Sequence, residues 1–177
     1  MNAEARALSR LPALTIRSVI HDDLPQLLRL CAEHAEQTAF ERLPYGRIRH
    51  DPLELREALF EPPLRAWAWL LHAGDEAIGY AAATVGFSML ERGYYLQLEP
   101  WHVRAPWRTD GADLLLLQQA QYLALKLGCL NLQWQAPAWS AASALSSERA
   151  TRIETVRHVL PLAPRATADD ASGLLHA

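Results

Sequence analysis

The sequence has little cysteine, almost no lysine, no excess of basic charge and no long apolar run. Cys31 and Cys129 are the only cysteines, too few for a disulfide framework. They lack CxxC spacing and have no histidine cluster beside them, which argues against a structural zinc site. Two buried thiols in a reducing cytosol are expected instead. The 17 basic residues stand against 20 acidic ones, for a formal net charge of −3. A general nucleic-acid binder needs a strongly basic face, so that class is set aside, although a local basic patch stays open. No stretch approaches the ~20 apolar residues of a membrane span. The opening residues hold no apolar run of signal-peptide length, which argues against export and for a cytoplasmic protein. Lys126 is the single lysine; nothing in the spacing of the arginines gathers them at one site.

What is present is a globular composition. Half of the 177 residues are hydrophobic, and a chain of this length buries roughly 70% of its unfolded surface without staples. One domain over residues 14–162 is expected, with a loose segment at 1–13 and a flexible tail at 163–177.

Strand and helix patterns alternate within that domain. Leu14 to Val19 reads as a strand. His21-Asp22-Asp23 offers a helix start, with Pro25 in the first turn. That helix is expected to reach about Phe40, before Pro44, Tyr45 and Gly46. A second helix begins at Asp51-Pro52 and stops at Pro62-Pro63. Ala66–His72 and Ile78–Phe87 read as a hairpin around Ala73-Gly74-Asp75. Tyr94–Val103 is a third consecutive strand. Pro100 lies inside it and has no N–H to donate, so a bulge or an interrupted pairing is expected there. Gly111–Leu127 is the clearest helix, with Leu116, Ala120, Leu123 and Leu127 on one face and Gly128 as its C-cap. A strand at Leu130–Trp134, a short helix at Ser140–Ser147 and a strand at Arg152–Leu160 complete the order βααβββαβαβ. This predicts an α/β domain with a mixed central sheet and helices on both faces.

The chemistry is concentrated between Gln97 and Ser147. A strand ends at Val103, a loop carries Arg108 and Gly111, and a long apolar helix follows. Such a loop can turn backbone N–H groups toward an anion at the positive end of the helix dipole. No nucleophile elbow or triad order is visible. Trp67, Trp69, Tyr94 and Tyr95 read as sheet residues. Arg47 and Arg49 lie between the first two helices, where solvated loop charge is the plainer reading.

The element order and this segment resemble the GNAT superfamily of N-acetyltransferases. Arg108-Thr109-Asp110-Gly111-Ala112-Asp113 is similar to that superfamily's [RQ]-x-x-G-x-[GA] acetyl-CoA loop. Leu98-Glu99-Pro100-Trp101-His102-Val103, followed by Trp139-Ser140 through Ser147, resembles the diamine N-acetyltransferases of spermidine/spermine type. The resemblance implies the GNAT fold, acetyl-CoA as co-substrate, a small-molecule amine as acceptor, and a possible homodimer. It places Glu99 where a carboxylate relays a proton from the acceptor ammonium, which must lose one before it can attack. It places Trp101, His102 and Val103 along the pantetheine arm, Arg108 to Asp113 around the pyrophosphate, and Ser140 and Ser143 near the donor. Ser147 stands where the family has a Tyr that protonates the leaving thiolate.

Several readings stay open at this level. Glu99 is a base or an ion-paired strand residue. His102 is an alternative base, on Glu99's side of the sheet only if the strand is bulged. Asp113 replaces the loop's last small residue, and its carboxylate either faces the pyrophosphate or caps the helix in the anion's place. Opposed charges aside, two like charges at ~4 Å and an effective dielectric of ~20 repel by about 4 kcal/mol, so Asp110 and Asp113 disfavour a bound pyrophosphate. The departures leave three functions: an N-acyltransferase, a GNAT-shaped interaction module that has lost its donor, or an acyltransferase fed by a carrier protein.

Overall fold

The computed structural model describes residues 12–40, 52–99, 101–108, 111–135 and 150. The short helix expected at 140–147, the strand expected at 152–160, residues 1–11 and 163–177 and the loop carrying Arg47 and Arg49 lie outside the described residues.

Three antiparallel strands open the sheet: β1 (Leu14–Ser18), β2 (Ala66–Ala73) and β3 (Glu76–Ser88). β4 (Gly93–Leu98) continues the antiparallel run, and β6 (Asn131–Trp134) joins it in parallel. The order is β1-β2-β3-β4-β6, while β5 (His102–Val103) pairs with β3. The consecutive strand expected over Tyr94–Val103 is thus divided into β4 and β5. A proline cannot donate to the ladder, and Pro100 falls in the interval between them.

Helices α1 (Leu24–Phe40) and α2 (Leu53–Phe60) cover one face, and α3 (Ala112–Lys126) covers the other. The period-2 alternation of β2 shows why both faces are dry. Trp69, Leu71 and Ala73 enter the core beneath α3 with Leu116, Ala120 and Leu123. Ala68 and Leu70 enter the core beneath α1 and α2 with Leu27, Leu30 and Leu59. A strand buried on both faces reads as a continuous apolar run, as Ala66–Leu71 does. Cys31 and Cys129 are free thiols, each half-buried rather than fully enclosed. Among the described residues no helix is long and apolar enough to cross a membrane.

The start of α1 differs from the sequence reading. His21–Asp23 forms a 3-10 turn that runs into the helix at Leu24. Asp23 looks back rather than forward: its carboxylate accepts from Ile20 N–H at 2.9 Å and takes two hydrogen bonds from Arg17 at 2.5 and 2.7 Å. The pair ties β1 to the helix entry, and the Arg17 hydrogen bonds hold Asp23 below the usual carboxylate range. α3 follows its pattern closely, with Gly111 as N-cap and Gly128 beyond its end at φ +70°, a left-handed conformation that glycine adopts without strain.

Gly79 sets how closely β3 and β5 approach. A Cβ built there would lie 2.5 Å from the His102 carbonyl oxygen and 3.1 Å from Val103 Cα. Neither neighbour is a flexible side-chain end, so the backbone itself would have to move. Gly79→Ala is expected to destabilise the protein by about 1–3 kcal/mol, the usual range for overpacking. A urea midpoint shift at unchanged m-value measures it; an unchanged midpoint would show that β5 is not held at this distance.

Candidate active site at the strand bulge

The interval between β4 and β5 has one residue too many. Ala83 faces Leu98, and Tyr80 faces His102. Three steps along β3 are therefore matched by four on the opposing chain, which defines a β-bulge. Glu99 remains on the ladder, its N–H donating to Ala82 O at 2.8 Å. The extra residue falls after it, where the sequence has Pro100 and Trp101.

Side-chain direction changes across the bulge. Leu98, Trp101 and Val103 all lie in the core beneath α3. In an unbroken strand, Leu98 and Val103 would point to opposite faces. His102 points the other way, against His34 of α1 at a ring separation of 5.2 Å. Glu99 follows Leu98 and by alternation also faces the α1–α2 side, where it is exposed. The bulge therefore puts Glu99 and His102 on one face.

It also frees a strand edge. Arg104 N–H donates to Ile78 O at 2.9 Å. In an antiparallel ladder the next pair, Gly79 with Val103, directs its N–H and C=O groups outward. Pairing of β4 with β6 runs only to Leu98 and Trp134, and among the described residues β5 pairs with β3 alone. The outward backbone of Val103 thus lies where the two strands part. Its carbonyl accepts from Arg108 Nε at 2.7 Å.

The loop charges are placed as follows. Arg108 also donates through Nη2 to Gln37 Oε1 of α1 at 2.5 Å. Gly111 has an extended φ of −171° as the N-cap of α3, and a Cβ there would meet nothing described within 4 Å. Asp113 is 2% exposed, and its Oδ1 accepts from Leu114 N–H at 2.9 Å. The carboxylate therefore serves an amide of the first turn of α3. Pro100, Thr109, Asp110, Ser140, Ser143 and Ser147 lie outside the described residues.

A polar layer between α1 and the sheet escaped the sequence reading. Arg104 donates to both Glu33 oxygens, at 2.8 and 2.7 Å, and to Glu76 at 2.6 Å. His34 Nδ1 and the Tyr80 hydroxyl are 2.8 Å apart. His102 is 5% exposed, and its Nε2 lies 3.8 Å from Glu33 Oε2 without a hydrogen-bond partner among the described residues. The i, i+4 spacing of Glu33 and Gln37 put both on one face of α1 and was the available signal.

Burial lowers the His102 pKa to about 4, aided by the nearby His34 and opposed by Glu33. The imidazole is therefore neutral near pH 7 and enclosed under α1, a position for packing rather than for meeting a substrate. Glu33 is held low by its hydrogen bonds to Arg104.

These shifts set an acid limit. A histidine with a depressed folded pKa stabilises the fold fully above its unfolded value, and loses that contribution as pH falls through the folded one. For His102 the window runs from 6.5 down to about 4, worth roughly 3 kcal/mol at ~1.4 kcal/mol per unit. Urea midpoints are expected to fall between pH 7 and pH 4, and His102→Leu is expected to flatten the decline. An equally steep decline in the variant would move the cause elsewhere.

No protein-family model matches the sequence, and neither does any curated protein. Solved structures do match in shape. An aminoglycoside acetyltransferase, meta-AAC0020, from an uncultured soil metagenomic sample superposes with a TM-score of 0.64 at 18% identity, covering 85% of this chain and 97% of that one. The integron cassette protein HFX_CASS3, from the mobile metagenome of Cole Harbour Salt Marsh, gives 0.65 at 25% identity, over 83% and 91%. A ribosomal-protein-alanine N-acetyltransferase from Brucella melitensis biovar Abortus 2308 gives 0.63 at 16% identity, over 85% and 99%. The mixed sheet with helices on both faces is thus the GNAT fold, as expected.

Proposed function

We propose that this GNAT-fold protein is an N-acyltransferase that moves an acyl group from a pantetheine thioester, acetyl-CoA being the simplest, to a small amine. The observation that carries the reading is the bulge. It sets the exposed carboxylate of Glu99 a few residues from the outward backbone of Val103, where β4 and β6 part.

The donor's two ends fit differently. Its pantetheine arm carries amides, and the Val103 edge offers main-chain groups directed away from β3. No described residue crowds the backbone at Gly111. The pyrophosphate end would lie toward the start of α3, where the buried Asp113 carboxylate already holds the Leu114 N–H.

When bound, a thioester supplies an activated acyl carbon. The chain's own task is to deprotonate and orient the acceptor. An ammonium has no free lone pair, so Glu99 takes one of its protons, directly or through a water. The amine nitrogen then forms the new C–N bond, the C–S bond breaks, and the sulfur leaves as thiolate, which takes up the proton shed by the acylated nitrogen. A thiolate is a tolerable leaving group near neutral pH, so Ser147 in place of a phenol slows the step without forbidding it. The likeness of Leu98–Glu99 and Trp139–Ser140 to the spermidine/spermine-type sequences supports a di- or polyamine as acceptor.

Replacing Glu99 with Gln is expected to lower acyl transfer by about 100-fold or more, the usual scale for a general base, whereas Ser147→Ala changes it little. The wild-type rate should rise with pH, and the Gln variant should need higher pH to recover. Free thiol released from acetyl-CoA over a panel of amines measures both. Wild-type rates in Glu99→Gln make Glu99 structural. No thiol release and no donor binding in the wild type would leave an interaction module.

A further inference from the structure

The start of α3 is where a donor's nucleotide end would be held, and the fold has already placed an anion there. Asp113 is almost fully enclosed, and its Oδ1 takes the Leu114 N–H at 2.9 Å. Helix N-termini favour one negative charge because their first amides lack intrahelical partners. Here the chain meets that demand itself. The loop's cation is drawn the other way: Arg108 bonds the Val103 carbonyl and Gln37 of α1, at 2.7 and 2.5 Å. No described residue fills the space at Gly111, since a Cβ there would meet nothing described within 4 Å. The obstacle to a pyrophosphate is charge.

We propose that Asp113 takes the electrostatic place of the donor's pyrophosphate, so that the protein recognises its donor by the pantetheine thioester and gains nothing from the nucleotide. This rests on the acyltransferase reading above. The shared chemistry is the pantetheine arm, carried either by an acyl-CoA or by a carrier protein. Recognition of the arm falls to the strand edge at Val103, whose N–H points away from β3 while its carbonyl already accepts from Arg108. A buried carboxylate opposes a second anion at the same helix end, and the loop supplies one arginine already engaged within the fold.

The test is a pair of calorimetric titrations of the full chain, with CoA and with pantetheine. The two dissociation constants are expected to agree within about threefold. Asp113→Asn keeps the acceptor oxygen for Leu114 N–H and removes the charge; it is expected to tighten CoA tenfold or more and to leave pantetheine within twofold. If wild-type protein binds CoA a hundredfold better than pantetheine, the inference is overturned while the acyltransferase reading stands. If Asp113→Asn folds and does not change the ratio, it is overturned as well. Should that variant fail to fold, the wild-type ratio decides alone. If neither ligand binds and no amine releases thiol from acetyl-CoA or acetyl-pantetheine, both the inference and the acyltransferase reading fall. An acetylated carrier protein run beside acetyl-CoA assigns the source, either preference being compatible with the shared arm.

Discussion

One extra residue between Leu98 and His102 governs the arrangement of everything around it. A strand's side chains alternate with period 2, so inserting one residue inverts the faces beyond the insertion. Leu98 and Val103 consequently share the core beneath α3, and His102 moves under α1 beside His34. Glu99 stays on the ladder just before the inversion. The pleat also decides which backbone groups are spent on β3 and which face outward. Because Arg104 N–H bonds Ile78 O, Val103, opposite Gly79, turns its N–H and C=O away from β3. The carboxylate proposed as base and the edge proposed to hold the donor thus come from one irregularity, with no loop needed to bring them together.

The bulge needs support from the α1 side, since it places a histidine there instead of an aliphatic residue. The support is polar. Arg104 is held by Glu33 from α1 and Glu76 from β3, and His34 stacks on His102 while approaching the Tyr80 hydroxyl. Charged groups are costly to enclose unless paired, and a titratable one otherwise stays neutral. Burial accordingly keeps His102 neutral. The layer confers less stability than an apolar one of equal volume would, but its directional bonds fix α1 against β5 at one register. Dispersion contacts would allow sliding by a residue; a bidentate Arg104–Glu33 pair does not.

The bulge was legible in the sequence because a proline inside an apolar strand has few places to go. α3 was legible because its apolar residues repeat at helical spacing up to a glycine. β1, β2, β3 and β6 followed from the same periodicities with edges displaced by one or two residues, the two opening helices nearly so, and the strand expected over Tyr94–Val103 was divided by the bulge. The polar layer was not legible. Arg108 and Gln37, like Arg104 and Glu33, are 71 positions apart, and His34 and Tyr80 are 46 apart. No local pattern encodes such pairs; they exist only once α1 has docked. Arg108 illustrates the difference. Its place in an R-x-x-G motif is a sequence fact, whereas its bonds to Val103 and Gln37 follow from the packing of α1 on β5.

The same separation of levels applies to the loop before α3. Its backbone frame is the part that topology determines: a strand, a short loop, a glycine at the N-cap and a helix whose first turn presents its amides toward the loop. Its charge is the part that single side chains determine, and one carboxylate suffices to reverse it. Asp113 is buried and bonded to the first turn, so its charge lies within the helix start and not in solvent, where salt would screen it. A main-chain edge is indifferent to such a substitution, because amide groups persist whatever side chain they carry. The recognition proposed through backbone at Val103 and the recognition proposed through charge at α3 can therefore diverge in one fold. The first is fixed by the bulge. The second is free to change with a residue, and in this chain the residue at the helix start is an acid.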